Sequence, residues 1–174
     1  MRKMVLFAGV ILFAAASSKA QETPGPEVSA SASYLRFGVN NGVNQIGAGL
    51  SVAGNFNRWL GVAADFGGYH KSQGGVTFNT YTYLGGPRFS YRKSTRVTPF
   101  AQILLGGARG SLSGFGGSGS GNGFAYSAGG GLDLGLTKHL ALRPQLDYIG
   151  MRFSGSTVNT VRGSLGIVFR FGNR

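Results

Sequence analysis

From Val28 onward the apolar residues of this chain recur at every second position, and no stretch carries the stripe of an amphipathic helix. A period of two sends successive side chains to opposite faces of an extended strand, so this part of the chain reads as all β. The segments near 124 to 136, 140 to 152 and 159 to 171 show it most plainly. In the first, Phe124, Tyr126, Ala128, Leu132, Leu134 and Leu136 share one face, while Ser127, Gly129, Gly131 and Asp133 share the other. In the second, Leu140, Leu142, Pro144, Leu146 and Tyr148 oppose Ala141, Arg143, Gln145 and Asp147. In the third, Val161, Leu165, Ile167, Phe169 and Phe171 oppose Thr160, Arg162, Ser164 and Gly166. One face is oily and the other is polar or tiny.

Further segments near 28 to 39, 43 to 54, 59 to 69, 79 to 91 and 97 to 108 bring the set to eight strands. Each reaches the roughly 9 to 11 residues that a tilted strand needs to cross a bilayer. Brief connections at 55 to 58, 92 to 96 and 137 to 139 alternate with longer ones at 70 to 78 and 109 to 123. The short turns are expected to face the periplasm and the long ones the outside, where Asn40-Asn41-Gly42 is a two-residue type I′ signal.

Ahead of the strands, Arg2 and Lys3 precede an apolar run from Met4 to Ala16, and Ser18-Lys19-Ala20 offers small residues where a signal peptidase reads. Residues 1 to 20 are expected to be a cleaved signal peptide, since the run is shorter than the ~20 residues of a membrane-spanning helix. Residues 21 to 27, with Pro24 and Pro26, read as a short periplasmic linker, and 28 to 174 as the barrel.

A soluble sandwich would alternate too, but it buries its oily face and displays charge outside. Only 13% of these residues are charged and 5 are acidic, which suits lipid on the oily side and a closed interior on the other. With no Cys, disulfide staples and an N-terminal lipid anchor are both excluded. The formal net charge of +12 does not point to nucleic acid, because export removes that partner. Arg58, Arg92, Lys93, Arg96 and Lys138 fall singly at turns, a placement that fits outer-membrane lipids and lipopolysaccharide phosphates.

The polar face holds Asp65, Asp133 and Asp147 with Arg88, Arg143 and Arg162. Charges withdrawn from water cost several kcal/mol each unless paired, so a neutralising network inside the barrel is expected. Counting outward from a turn centred on Lys138 sets Asp133 opposite Arg143, and that pair is expected to touch. Phe100 and Gln102 are further fillers, whereas Gly47, Gly49, Gly61, Gly67, Gly129 and Gly131 are expected to leave volume that water could occupy. The phase of the first strand is undetermined, so Tyr34 and Arg36 are not assigned to a face. Tyr81, Tyr83, Phe89 and Tyr91 share one face of the fourth strand, as in an interfacial girdle. Pro87, Pro99 and Pro144 are expected to be absorbed by bulges or frayed ladder near short turns.

Catalytic chemistry finds little support. His70 and His139 are the two histidines and are expected at opposite ends of the barrel. No metal ligand set or cofactor is expected, and the protein is not expected to be an enzyme. Gly114-Phe115-Gly116-Gly117-Ser118-Gly119 matches a dinucleotide-binding pattern literally, but no helix follows, and a mobile outer loop is the expected reading.

Tyr34-Leu35-Arg36-Phe37-Gly38, the run from Asn55 to Leu60, Gly86-Pro87-Arg88-Phe89-Ser90-Tyr91 with Val97-Thr98-Pro99-Phe100-Ala101, and the ending Gly166-Ile167-Val168-Phe169-Arg170-Phe171-Gly172 together resemble the OmpA-like outer-membrane β-barrel family. The resemblance spans the chain after the leader and implies an eight-stranded barrel, both termini in the periplasm and assembly by the outer-membrane insertion machinery. Family members end on an aromatic residue, whereas Gly172-Asn173-Arg174 follow Phe171 here, and no peptidoglycan-binding segment is expected. The expected role is structural, in envelope integrity, as a monomer with exposed loops for weak surface interactions. A narrow porin-like channel is the alternative, followed by a lipid-modifying barrel enzyme.

Overall fold

A computed structural model describes residues 24–37, 44–94, 96–114, 117–153 and 156–171. The expected signal peptide at residues 1 to 20, the expected turn at Asn40-Asn41-Gly42 and the final Gly172-Asn173-Arg174 lie outside the described residues.

Eight antiparallel strands close into a barrel in sequence order: β1 (Glu27–Phe37), β2 (Asn44–Asn55), β3 (Leu60–Gln73), β4 (Val76–Ser90), β5 (Val97–Gly114), β6 (Gly117–Gly135), β7 (Leu140–Phe153) and β8 (Ser156–Arg170). Closure follows from the alternation, because a sheet with one oily face and a row of unpaired amides at each edge loses both edges by joining them. Glu27 stands opposite Ala53 on β2 and Arg170 on β8, which seals the cylinder.

The apolar phase faces outward. Leu146 is 62% exposed, Leu50 59% and Ile167 58%, while Asp147, one residue from Leu146, is 1% exposed. A water-soluble protein has the opposite distribution. In β1, Tyr34 and Arg36 lie on the outward phase and Ser33 and Leu35 on the inward one, which settles the strand whose phase the sequence leaves open.

The two ends of the barrel differ. Pro24 and Phe171, the first and last described residues, and the connections that follow β2, β4 and β6 share one, the terminal end. Two of these turns use the same device: the Asn57 side chain accepts from the amides of Trp59 and Leu60 at 2.9 and 2.7 Å, and the Thr137 hydroxyl accepts from His139 and Leu140 at 3.3 and 3.0 Å. A polar side chain thus caps amides that no strand can reach.

At the other, hairpin end, the expected long connections are mostly strand. Residues 70–78 form a ladder down to Gln73 opposite Val76, closed by Gly74 and Gly75 at φ 61° and 78°. Two consecutive positive φ values make a type I′ turn, which glycine adopts without strain. The β5–β6 ladder likewise runs without a slip from Val97 opposite Leu134 to Gly114 opposite Gly117, so Gly117, Ser118 and Gly119 are paired strand residues and not part of a loop.

The prolines require no bulge. The β4–β5 ladder loses its pairs at Gly86 and Pro87 and resumes from Arg88 opposite Gln102 in unchanged register. The β6–β7 ladder skips Pro144 in the same way, between Gly131 opposite Gln145 and Leu134 opposite Leu142. Pro99 is the third residue of β5, and its carbonyl accepts from the Tyr91 amide at 2.9 Å.

Exposed aromatic rings form two bands on the outer surface. Phe56, Trp59, Phe89, Tyr91, Phe169 and Phe171 ring the terminal end, with Trp59 stacked on Phe89 at 6.2 Å and Phe171 edge-on to Phe169 at 4.8 Å. Tyr34, Tyr81, Tyr83, Phe124 and Tyr148 form the band toward the hairpin end. Phe89 and Tyr81 are eight residues apart on β4, about 20 Å along the barrel axis at ~3.3 Å per residue and a tilt of about 40°.

Candidate functional site: the charged barrel interior

An eight-stranded cylinder is just wide enough for its inward side chains to meet across the axis. Nearest the terminal end, Arg143 makes a two-point contact with Asp133, one arm at 2.8 Å, and reaches Glu27 at 3.0 Å. Arg170 bridges the same two carboxylates, at 2.8 Å to Asp133 and 3.4 Å to Glu27, and Arg92 closes on Glu27 from the rim at 3.0 Å. Arg88 lies 3.9 Å from Glu27 and donates to the Gln102 carbonyl oxygen at 2.8 and 3.0 Å. The guanidinium groups of Arg88 and Arg143 both rest on the Phe100 ring, 4.8 and 4.7 Å from its centroid, each gaining a cation–π contact away from water.

Deeper in the barrel, Arg162 binds Asp147 at 2.8 Å, Asp65 at 2.7 Å and the Tyr69 hydroxyl oxygen at 3.0 Å. Gln145 donates to Asp147 at 2.8 Å. Gln102 joins the two groups, accepting from Arg88 through its oxygen and donating to Asp147 through its nitrogen at 3.4 Å. Asp65, Arg88, Asp133, Arg143, Asp147 and Arg162 are therefore all inward and linked in one chain of contacts, with Glu27 and Gln102 as the connecting members. Each carboxylate among the described residues is held by at least one guanidinium, which offsets the cost of taking both out of water.

Sequence reasoning missed Glu27, Arg170, Arg92 and Tyr69. Glu27 was assigned to the linker but is the first residue of β1 and 2% exposed. Arg170 continues the even phase of Thr160, Arg162, Ser164 and Gly166, so that signal was present.

The inward glycines are not empty space. A Cβ on Gly67 would stand 2.7 Å from the Thr82 hydroxyl and 2.8 Å from Tyr69 Cε2, and one on Gly47 would stand 2.5 Å from Tyr69 Cδ1. Both glycines make room for the Tyr69 ring, and the water expected there is displaced by it. Gly67→Ala is expected to destabilise the barrel by about 1–3 kcal/mol, because a packed ring has nowhere to move. Adding Tyr69→Leu to the same chain should restore most of the loss, as read from denaturant unfolding in lipid vesicles.

Toward the hairpin end the lumen turns apolar. Leu35, Leu104, Ile149 and Met151 are at most 1% exposed and belong to one packed cluster, with Phe153 against it. The two histidines sit far apart: His70 on β3 contacts Asn79 at 2.7 Å, and His139 in the 136–139 turn stacks on Phe169 at 6.2 Å.

Comparison with known proteins agrees with this geometry. A family model described as an outer membrane protein beta-barrel domain matches residues 5–171. Among solved structures, Neisserial surface protein A aligns over 87% of this chain and 100% of its own, with a TM-score of 0.73 and 17% identity. Ail, the attachment invasion locus protein of Yersinia pestis, aligns over 85% and 99%, with a TM-score of 0.63 and 20% identity. The N-terminal β-barrel domain of Pseudomonas aeruginosa OprF aligns over 86% and 100%, with a TM-score of 0.57 and 17% identity. No curated protein sequence matches the chain. The outward oily belt, the closed eight-stranded cylinder and the family match together make this chain a member of the OmpA-like outer membrane protein β-barrel family, resident in the bacterial outer membrane.

Proposed function

We propose that the protein is a sealed structural barrel that contributes to envelope integrity, with its terminal end in the periplasm and its hairpins at the cell surface for weak interactions. The observation that carries this reading is the filled lumen. Four buried guanidinium groups, four carboxylates and Tyr69 occupy the cross-section from the terminal end to the middle, and the Leu35, Leu104, Ile149 and Met151 cluster closes the rest. A hydrated path would have to break buried ion pairs and open an apolar constriction that resists wetting. Planar-bilayer recording of purified, folded protein tests the reading directly. A silent membrane is the expected result, and a steady conductance would contradict it.

A narrow channel for small solutes is the second reading. It draws on the hydroxyl oxygens of Ser33, Thr82 and Ser127 and the amide oxygen of Gln45, which are buried without a hydrogen-bond partner and suit individual waters.

Among partners, outer-membrane lipids and lipopolysaccharide fit the charge distribution best. The acidic residues of the described chain, Glu27, Asp65, Asp133 and Asp147, all point inward, so the charges at both rims are cationic. Ail, a neighbour in fold, has been crystallised with the heparin analogue sucrose octasulfate, a polyanion. Membrane insertion would rely on the outer-membrane insertion machinery.

A further inference from the structure

We propose that the free edge of β6, from Gly117 to Asn122, takes up an extended segment of a partner protein as an added strand, with one apolar side chain in the hollow beside it and acidic side chains on its outer face. The proposal deepens the reading of the hairpins as surface contacts and rests on it. Every residue from Gly117 to Asn122 pairs with β5, whereas the β6–β7 ladder reaches no further than Phe124 opposite Arg152. Their second edge therefore has no strand against it among the described residues, and all of them are exposed. Natural sheets guard such an edge with charge, proline or a bulge, because its amides and carbonyls are a template for another chain. Here only glycine, serine and asparagine line it, and the register with β5 is unbroken.

The edge adjoins a hollow. Gly119 and Gly121 are on the inward phase of β6, in register with Leu112 and Gly110 on β5, which in turn pair with Phe78 and Thr80 on β4. These residues line a space of about 240 Å³ on the inner face of the extension. The two glycines put no side chain between this space and the free edge, so a side chain from an added strand enters it directly. Since about 150 Å³ accommodates benzene, the hollow holds one leucine-sized group. A second copy pairing through the same edge would bring only glycine to this phase and leave it empty. On the outer phase the charge is cationic. Arg152 lies at the foot of the edge on β7, and Arg109 is the register partner of Asn122. Both are exposed, and every described acid points into the barrel. Backbone pairing thus supplies affinity, the hollow selects an apolar side chain, and the arginines favour carboxylates.

The test is fluorescence anisotropy of a seven-residue peptide titrated with detergent-folded protein, the peptide carrying glutamate at its odd positions, leucine at the fourth and threonine at the others. Methylating one alternate set of its amides should weaken binding at least about tenfold, and methylating the other set should leave it unchanged, because a strand on one edge turns only every second amide toward it. Exchanging the leucine for glycine should cost about tenfold. Exchanging glutamate for lysine should cost about threefold, a difference that Arg109→Gln with Arg152→Gln removes. Gly119→Leu fills the hollow and should make the leucine and glycine peptides bind alike; a Cβ there meets nothing within 4 Å, so the barrel folds. Heat-modifiable gel migration verifies that each variant is folded. Absence of saturable binding, equal damage from both methylated sets, or indifference to the leucine would overturn the proposal. So would a head-to-head dimer in sedimentation that competes with the peptide, which would assign the edge to a second copy. Binding in detergent depends neither on orientation nor on a sealed lumen. Labelling of Ser118→Cys in intact cells with a membrane-impermeant maleimide tests the first and planar-bilayer conductance the second, so failure of either is distinguishable from failure at the edge.

Discussion

Arg162→Met lowers the stability of the folded barrel by about 3–5 kcal/mol, because it strands two buried carboxylates at once. Asp65 and Asp147 both lie against this guanidinium, and the Tyr69 hydroxyl loses its charged donor too. Gln145 and Gln102 still donate to Asp147, so the penalty falls most heavily on Asp65. Combining Arg162→Met with Asp65→Asn and Asp147→Asn should recover a large part of the loss, since no uncompensated charge then remains. Urea unfolding in phospholipid vesicles, followed by the folded band on unboiled gels, measures both effects. A single variant as stable as the parent would show that these charges are solvated and not locked in a dry network.

Leu146→Arg is the outward counterpart. Leu146 lies between the two aromatic bands on β7 and is among the most exposed leucines of the chain. An arginine near the bilayer midplane of a barrel costs about 2–4 kcal/mol, falling toward zero at the interfaces. The same substitution at Leu136, in the turn at 136–139, should cost far less. This depth dependence is the signature sought, and equal costs at the two positions would place Leu146 outside the hydrocarbon layer. Together the two substitutions separate what a guanidinium does inside the cylinder from what it does outside.

How much of this was legible in the sequence depended on contrast between adjacent side chains. In β6, β7 and β8, leucine, tyrosine and phenylalanine alternate with glycine, serine, arginine and aspartate, so face and register can be read, and the contact of Asp133 with Arg143 follows from counting out of one turn. In β1 the run Ser29-Ala30-Ser31-Ala32-Ser33 is uniformly small, and the next two residues, Tyr34 and Leu35, are both large. Nothing in that pattern distinguishes inside from outside, and Pro24 and Pro26 make Glu27 read as the end of a linker.

The extended hairpins were hidden for a different reason. Glycine and serine weaken a strand taken alone, so 109–123 reads as a loop. The pairing there is imposed from below: once Val97 and Leu134 are in register, continuing the ladder satisfies amides that would otherwise need water. Interior glycines are equally ambiguous from composition, because a missing side chain leaves either a void or space for a neighbour. Here the neighbour is Tyr69, whose ring no count of glycines could have placed.

The account stands on the outward phase touching acyl chains while the inward phase does not. The chain has no cysteine, so single cysteines at positions 164, 165, 166 and 167 of β8 can each be labelled uniquely with a small fluorophore. In vesicles of lipids brominated along their tails, quenching should be strong at 165 and 167 and weak at 164 and 166. Uniform quenching, or the reverse alternation, would contradict a lipid-facing oily belt around a closed charged interior.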